Sequence, residues 1–159
     1  MIKQKKGNLI TAAQDGEVSI IAHQCNCFCN MGSGIAPQIA KAFPEAQKAD
    51  NDTIRGAPQK LGTLSIGTQP RKTVGSVVVF NLYGQYSHQR PRKGEMNTDY
   101  DALRLAMTEM KRKIQQYGWE HVPIGLPKIG CGLGGGDWAV VYAMIDEILG
   151  EFDVTIYQL

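Results

Sequence analysis

The chain has 159 residues, a formal net charge of +2 and 43% hydrophobic residues. That is the size of one ordinary domain with enough apolar material for a core, which excludes a disordered chain. No apolar run reaches the ~18 residues of a membrane span, and no signal-type apolar segment follows the lysine-rich start, so membrane partners are not expected. The weak charge and the 8% of aromatic residues argue against a nucleic-acid-binding module. The expectation is a cytoplasmic protein that keeps its cysteines reduced.

In chain order, residues 17–23 read as a buried strand and residues 33–42 as a helix whose start is limited by Pro37. Two further strands, 61–68 and 75–82, are separated by a Gln-Pro-Arg-Lys turn. Leu103, Ala106, Met107, Met110 and Ile114 fall at 3–4 spacing and predict a helix over 98–117, with Thr98-x-x-Asp101 resembling a capping box. The basic residues scattered between Arg90 and Lys113 read as a solvated face. Residues 122–126 form a short strand, 137–149 a second helix with Asp137 as its cap and Gly150 after its end, and 154–158 a last strand. This order predicts one α/β domain over 1–159, a three-layer α/β/α sandwich with a central mixed sheet.

The segment from Ile129 to Trp138 carries glycine at 130, 132, 134, 135 and 136 and lies between the strand 122–126 and the helix 137–149. Glycine permits φ > 0 and close backbone approach, and a glycine-rich turn into a helix offers free N–H groups to an anion, usually phosphate. A second such loop runs through Gly32, Ser33, Gly34 and Ile35, and a third strand-end segment begins at Asn81. Loops beyond the carboxyl ends of strands form one rim in open α/β sheets. Two glycine loops suggest a ligand with a phosphate-rich middle, gripped from two sides. Neither loop is a dinucleotide fingerprint or a P-loop, since the required acidic residue and Gly-Lys-Ser/Thr are missing.

His23-x-Cys25-x-Cys27-x-Cys29 invites a zinc reading, but in extended geometry His23 and Cys29 stand about 20 Å apart, far beyond one ion's shell. Buried small hydrophobes at a strand end suit these cysteines better, and no metal is expected. Cys131 has no base beside it in sequence, although a nucleophilic role inside the glycine loop is conceivable. His23 is either a hydrogen-bonded core imidazole or an acid, base or phosphate contact. The amide of Asn26 is suited to ribose hydroxyls because it both donates and accepts. His88 and His121 read as surface residues.

The chain resembles the macrodomains, which bind ADP-ribose, nearly end to end. Gly7-Asn8-Leu9-Ile10 is similar to the early motif whose polar residue contacts adenine. His23-Gln24-Cys25-Asn26-Cys27 with Met31-Gly32-Ser33-Gly34-Ile35-Ala36 looks like the distal-ribose loop, and Pro127-x-Ile129-Gly130-Cys131-Gly132-Leu133-Gly134-Gly135 looks like the diphosphate loop. The resemblance is nearest to the branch of ADP-ribose 1″-phosphate phosphatases and deacylating ADP-ribosyl hydrolases. It implies catalytic roles for His23 and Asn26, and ligand contacts from Asn8, Leu9, Gly32, Ser33, Gly34, Ile35, Asn81, Gly130, Cys131, Gly132, Leu133 and Gly134. It implies no cofactor. The expected activity is removal of phosphate from ADP-ribose 1″-phosphate; the alternatives are release of ADP-ribose from protein or nucleic acid, and a non-catalytic reader. The hydrolases' lysine has no counterpart at Asn81-Leu82-Tyr83-Gly84-Gln85, and Gly134 stands where one hydrolase type carries aspartate.

Overall fold

The computed structural model describes residues 2–159. A six-stranded sheet contains β1 (Ile2–Lys6), β2 (Ile20–Gln24), β3 (Leu64–Pro70), β4 (Ser76–Leu82), β5 (Ile124–Leu126) and β6 (Val154–Gln158), in the spatial order β1-β6-β5-β2-β4-β3. All neighbours are parallel except β3 and β4. Only that pair is joined by a short turn; parallel strands need a crossover, here supplied by helices. The helices are α1 (Leu9–Gln14), α2 (Ala36–Ala42), α3 (Pro44–Asn51), α4 (Tyr100–Gln116) and α5 (Trp138–Leu149). The mixed sheet and α/β layering agree with the sequence expectation.

The sheet divides two apolar cores. Ile20 and Ala22 of β2, with Val78, Phe80 and Leu82 of β4, pack against α4 and α5. Ile21, Val77 and Val79 pack on the opposite face with α1, α2 and α3. Strands covered on both faces carry continuous apolar runs, which is why β2 and β4 are readable from sequence. The stripe predicted on α4 is buried from Ala102 to Ile114, and each such large side chain contributes about 1.5–3 kcal/mol.

Three elements were not anticipated. β1 carries lysine at three of its five positions, a composition that suits an exposed sheet edge and hides a strand signal. α1 is too short for a period to register; Asn8 caps it, its Oδ1 accepting from Ile10 N at 2.8 Å and Thr11 N at 3.2 Å. α3 starts at Pro44, immediately after α2. The cap of α4 also differs from the proposed Thr98–Asp101 box. Asp99 accepts from Ala102 N at 3.0 Å, because the Thr98 hydroxyl is engaged by the neighbouring loop.

The parallel run of β5, β2 and β4 positions the site. Their carboxyl ends share one edge, so the segments that follow them converge there.

Candidate functional site

A cavity of about 450 Å³ opens at that edge, walled by the segments after β2, β4 and β5. Its size suits a small organic ligand. No aspartate or glutamate lines it, whereas Arg90, Lys128, His23 and His88 do.

The glycine loop is held from α4's side. Thr98 Oγ1 donates to Gly130 O at 2.7 Å, and the Thr98 and Asn97 N–H groups donate to Gly134 O at 3.1 and 3.0 Å. Gln24 Nε2, at the end of β2, donates to Thr98 Oγ1 at 2.9 Å and to Gln85 Oε1 at 2.8 Å. Gln24 therefore ties the end of β2 to the segment after β4, and Thr98 carries that tie on to the glycine loop. Gly130 sits at φ 71°, and a Cβ at Gly134 would lie 2.5 Å from Thr98 Oγ1, so both positions require glycine. The backbone N–H groups of Gly132, Leu133 and Gly134 have no acceptor within the described residues, and neither do those of Gly34 and Ile35 on the facing loop. Two sets of free donors thus face a cavity that holds no carboxylate, the arrangement of an anion cradle.

His23 lines the cavity with 1% exposure. β2 and β4 pair His23 with Asn81 in register, and His23 Nε2 lies 2.7 Å from Asn81 Oδ1. Asn81 Nδ2 donates to Ala46 O at 2.9 Å and to Ser65 Oγ at 3.0 Å. A backbone carbonyl can only accept, so Oδ1 must face the imidazole and Nε2 must carry its proton. Nδ1 then holds the lone pair. Burial pushes the His23 pKa down to about 4, against a raising effect of the Asn81 hydrogen bond, so the ring is neutral at pH 7. Beneath it, Ser65 Oγ lies 2.8 Å from Tyr83 OH, which donates to Asp50 Oδ1 at 2.8 Å. Buried Lys60 closes the network, its Nζ 4.8 Å above the Tyr83 ring and donating to Cys27 O at 3.0 Å.

Of the residues expected at the site, His23, Asn26, Ser33, Gly34 and Ile35 line the cavity, as do Gly130, Gly132, Leu133 and Gly134. Asn26 also folds its own loop, accepting from Phe28 N at 2.9 Å and donating to Asn30 O at 2.7 Å. Gly32 and Cys131 belong to the lining loops but not to the wall. The Cys131 thiol turns back onto Ile129 O at 3.2 Å, and burial raises its pKa, which disfavours the thiolate that a nucleophile needs. Three further residues lie elsewhere. Asn81 is fully buried with its amide already bonded, so it supports His23 and is not on the cavity wall. Leu9 is a core residue, and Asn8 spends its Oδ1 on the α1 cap; neither lines the cavity. Among the described residues no group of three His, Cys, Asp or Glu is placed to hold a metal ion.

Sequence reasoning missed Gln24, His88 and Arg90, all on the wall. The signal for the last two was their position just beyond the third strand-end segment, which continues further than its Asn/Tyr/Gly start suggests.

The comparisons agree with this geometry. The Macro domain family model matches residues 22–145. An uncharacterized 17.5 kDa protein of Enterobacteria phage T4, from the tk-vs intergenic region, is 32% identical, with 98% of this chain and 95% of that protein covered. An ADP-ribose 1″-phosphate phosphatase of Debaryomyces hansenii is 29% identical over 96% of this chain and 94% of its own. The solved macrodomain of Mycobacterium tuberculosis DarG superposes with a TM-score of 0.73 at 20% identity, covering 100% of this chain and 98% of that one, and so shares the fold. The chain therefore belongs to the macrodomain family.

Proposed function

We propose that the protein binds ADP-ribose and removes the phosphate of ADP-ribose 1″-phosphate. The observation that carries this reading is the pairing of two free-N–H loops with a neutral, buried imidazole in a cavity without carboxylates. The loop from Gly130 to Gly134 seats the diphosphate, and the loop at Ser33, Gly34 and Ile35 receives the distal ribose. A water attacks phosphorus, the bond from phosphorus to the ribose oxygen breaks, and the proton of the water ends on that oxygen. The products are ADP-ribose and inorganic phosphate. Because Nε2 is held by Asn81, His23 suits the role of acceptor, its Nδ1 orienting the attacking water, better than that of an acid. The end-to-end likeness to a protein named as this phosphatase supports the assignment. Four free thiols fit a reducing, cytoplasmic setting.

The test is phosphate release from ADP-ribose 1″-phosphate alongside binding of ADP-ribose. His23→Ala is expected to lower the release rate by about 10²–10⁴-fold with the fold intact. An unchanged rate removes His23 from the mechanism. Tight binding without product in the unaltered protein would make it a reader, and release of ADP-ribose from modified protein or nucleic acid would make it a hydrolase.

A further inference from the structure

We infer that Ser65, Tyr83 and Asp50 are positioning residues: acting through Asn81, they keep Nδ1 of His23 an acceptor and raise its basicity. This rests on the reading of the cavity as a site in which His23 acts as an acceptor.

Four hydrogen bonds in series join His23 to Asp50, and all of them run in one direction. Asn81 sets that direction at the cavity end. Its Nδ2 donates to Ala46 O, which can only accept, and to Ser65 Oγ, so its Oδ1 takes the Nε2 proton of His23. The Ser65 hydroxyl, having accepted from Asn81, has its own hydrogen to offer, and Tyr83 OH stands 2.8 Å away. Tyr83 OH in turn donates to Asp50 Oδ1 at 2.8 Å. Sheet register builds the first half of this series. His23 of β2 lies opposite Asn81 of β4, and Asn81 lies opposite Ser65 of β3. Tyr83 directly follows β4, and Asp50 comes from α3.

Hydrogen bonds in series polarise one another, and an amide whose N–H groups are engaged is a stronger acceptor at its oxygen. The Asn81 oxygen therefore draws more firmly on the Nε2 proton, which leaves more electron density on Nδ1. The far end of the series is charged and buried. Burial raises the Asp50 pKa, while the Tyr83 hydrogen bond and the Lys60 ammonium oppose that rise. Buried charges add little net stability over apolar residues of the same volume. Ser65, Tyr83 and Asp50 are all off the cavity wall, so ligand contact does not account for them either. What their hydrogen bonds reach is Asn81, and through it His23.

The experiment follows the His23 ring by nitrogen NMR of isotopically labelled full-length protein at pH 7. It is run beside kcat and KM for phosphate release and the calorimetric affinity for ADP-ribose. In the unaltered protein Nε2 is expected to carry the proton, with its signal far downfield, and Nδ1 to be bare. Ser65→Ala cuts the series in its middle, while Asn81 keeps Ala46 O and Tyr83 keeps Asp50. It is expected to move the Nε2 proton upfield and to lower kcat about threefold to tenfold, with KM and affinity unchanged. Ser65→Thr retains a hydroxyl and is expected to restore both readouts. Tyr83→Phe detaches Asp50 and is expected to act in the same direction as Ser65→Ala. If circular dichroism shows that Tyr83→Phe does not fold, Asp50→Asn, which keeps an acceptor oxygen and removes the charge, takes its place. An Nε2 proton unmoved by Ser65→Ala or by the cut at Asp50 would overturn the inference, as would a kcat indifferent to Ser65→Ala. A loss of affinity as large as the loss of kcat would mark a structural role and overturn it too. Phosphate release that persists with an unmoved Nε2 signal would overturn this inference alone. No phosphate release by the unaltered protein would overturn the phosphatase reading alone, and the NMR signals would still decide the inference.

Discussion

His23 shows how one residue's chemistry follows from its neighbours. The Ala46 carbonyl orients Asn81, Asn81 selects the tautomer of His23, and burial keeps that ring uncharged. The folded pKa of about 4 lies below the ordinary 6.5, so the unfolded chain takes the proton first as pH falls. The contribution is fully present above about pH 6.5 and is lost progressively as pH drops toward 4. Between pH 7 and pH 5 this costs about 2 kcal/mol of stability. His23→Gln keeps a donor for Asn81 without titrating, so its denaturant-unfolding free energy should lose that much less over the same interval. Parallel losses in the two proteins would show that His23 is not the titrating group. Asn81→Leu should both destabilise the protein and slow phosphate release, since it removes the fixed tautomer; kcat and urea midpoint, measured together, check this.

At the scale of elements, the glycine loop is shaped by α4's N-terminal approach as much as by its own glycines. Thr98 joins Gly130 O to Gln24, and the turn before α4 holds Gly134 O. Thr98→Val keeps the shape of the side chain and removes the hydroxyl. Gly130 O retains Gly136 N as a donor, and Gln24 Nε2 retains Gln85, so the stability cost should be near 1 kcal/mol. The loop would lose the side-chain tie at Gly130 O and be held by backbone bonds to Gly130 O and Gly134 O alone. The affinity for ADP-ribose should therefore fall about tenfold or more, and calorimetric titration reads this directly. An affinity equal to the unaltered protein's would show that the loop keeps its shape unaided. The same packing accounts for glycine at 134: a Cβ there meets Thr98 Oγ1, so an aspartate cannot enter without moving the clamp.

Over the whole molecule, the sheet sandwich brings together segments far apart in the chain, and a ligand in the cavity would bridge three of them. Binding to the folded state alone stabilises by about 2.7 kcal/mol at a ligand concentration 100 times Kd. For a protein of this size that corresponds to a rise in Tm of about 5–10 °C. ADP-ribose should produce such a shift in thermal melts, and adenine alone at the same concentration should produce less, since it lacks the diphosphate. Equal shifts would place the binding energy away from the glycine loop.

Much of this architecture was legible in the chain, because it rests on local patterns. β2 and β4 announce themselves as apolar runs, α4 as a 3–4 stripe, and the diphosphate loop as a cluster of glycines beyond a strand. β1 and α1 escaped because one is a lysine-rich edge and the other is shorter than two helical turns. At the site, the sequence by itself determined which loops carry free backbone donors, since glycine's lack of a Cβ is a property of the residue. The tertiary structure alone decided what the side chains do. Asn81 serves His23 because strand register sets the two residues side by side across 58 positions. His88 and Arg90 reach the cavity wall in a segment that is folded back on itself by the Gln89–Asn97 bond and laid against Asn30. Such roles depend on distances between segments remote in the chain, which no local pattern of residues encodes.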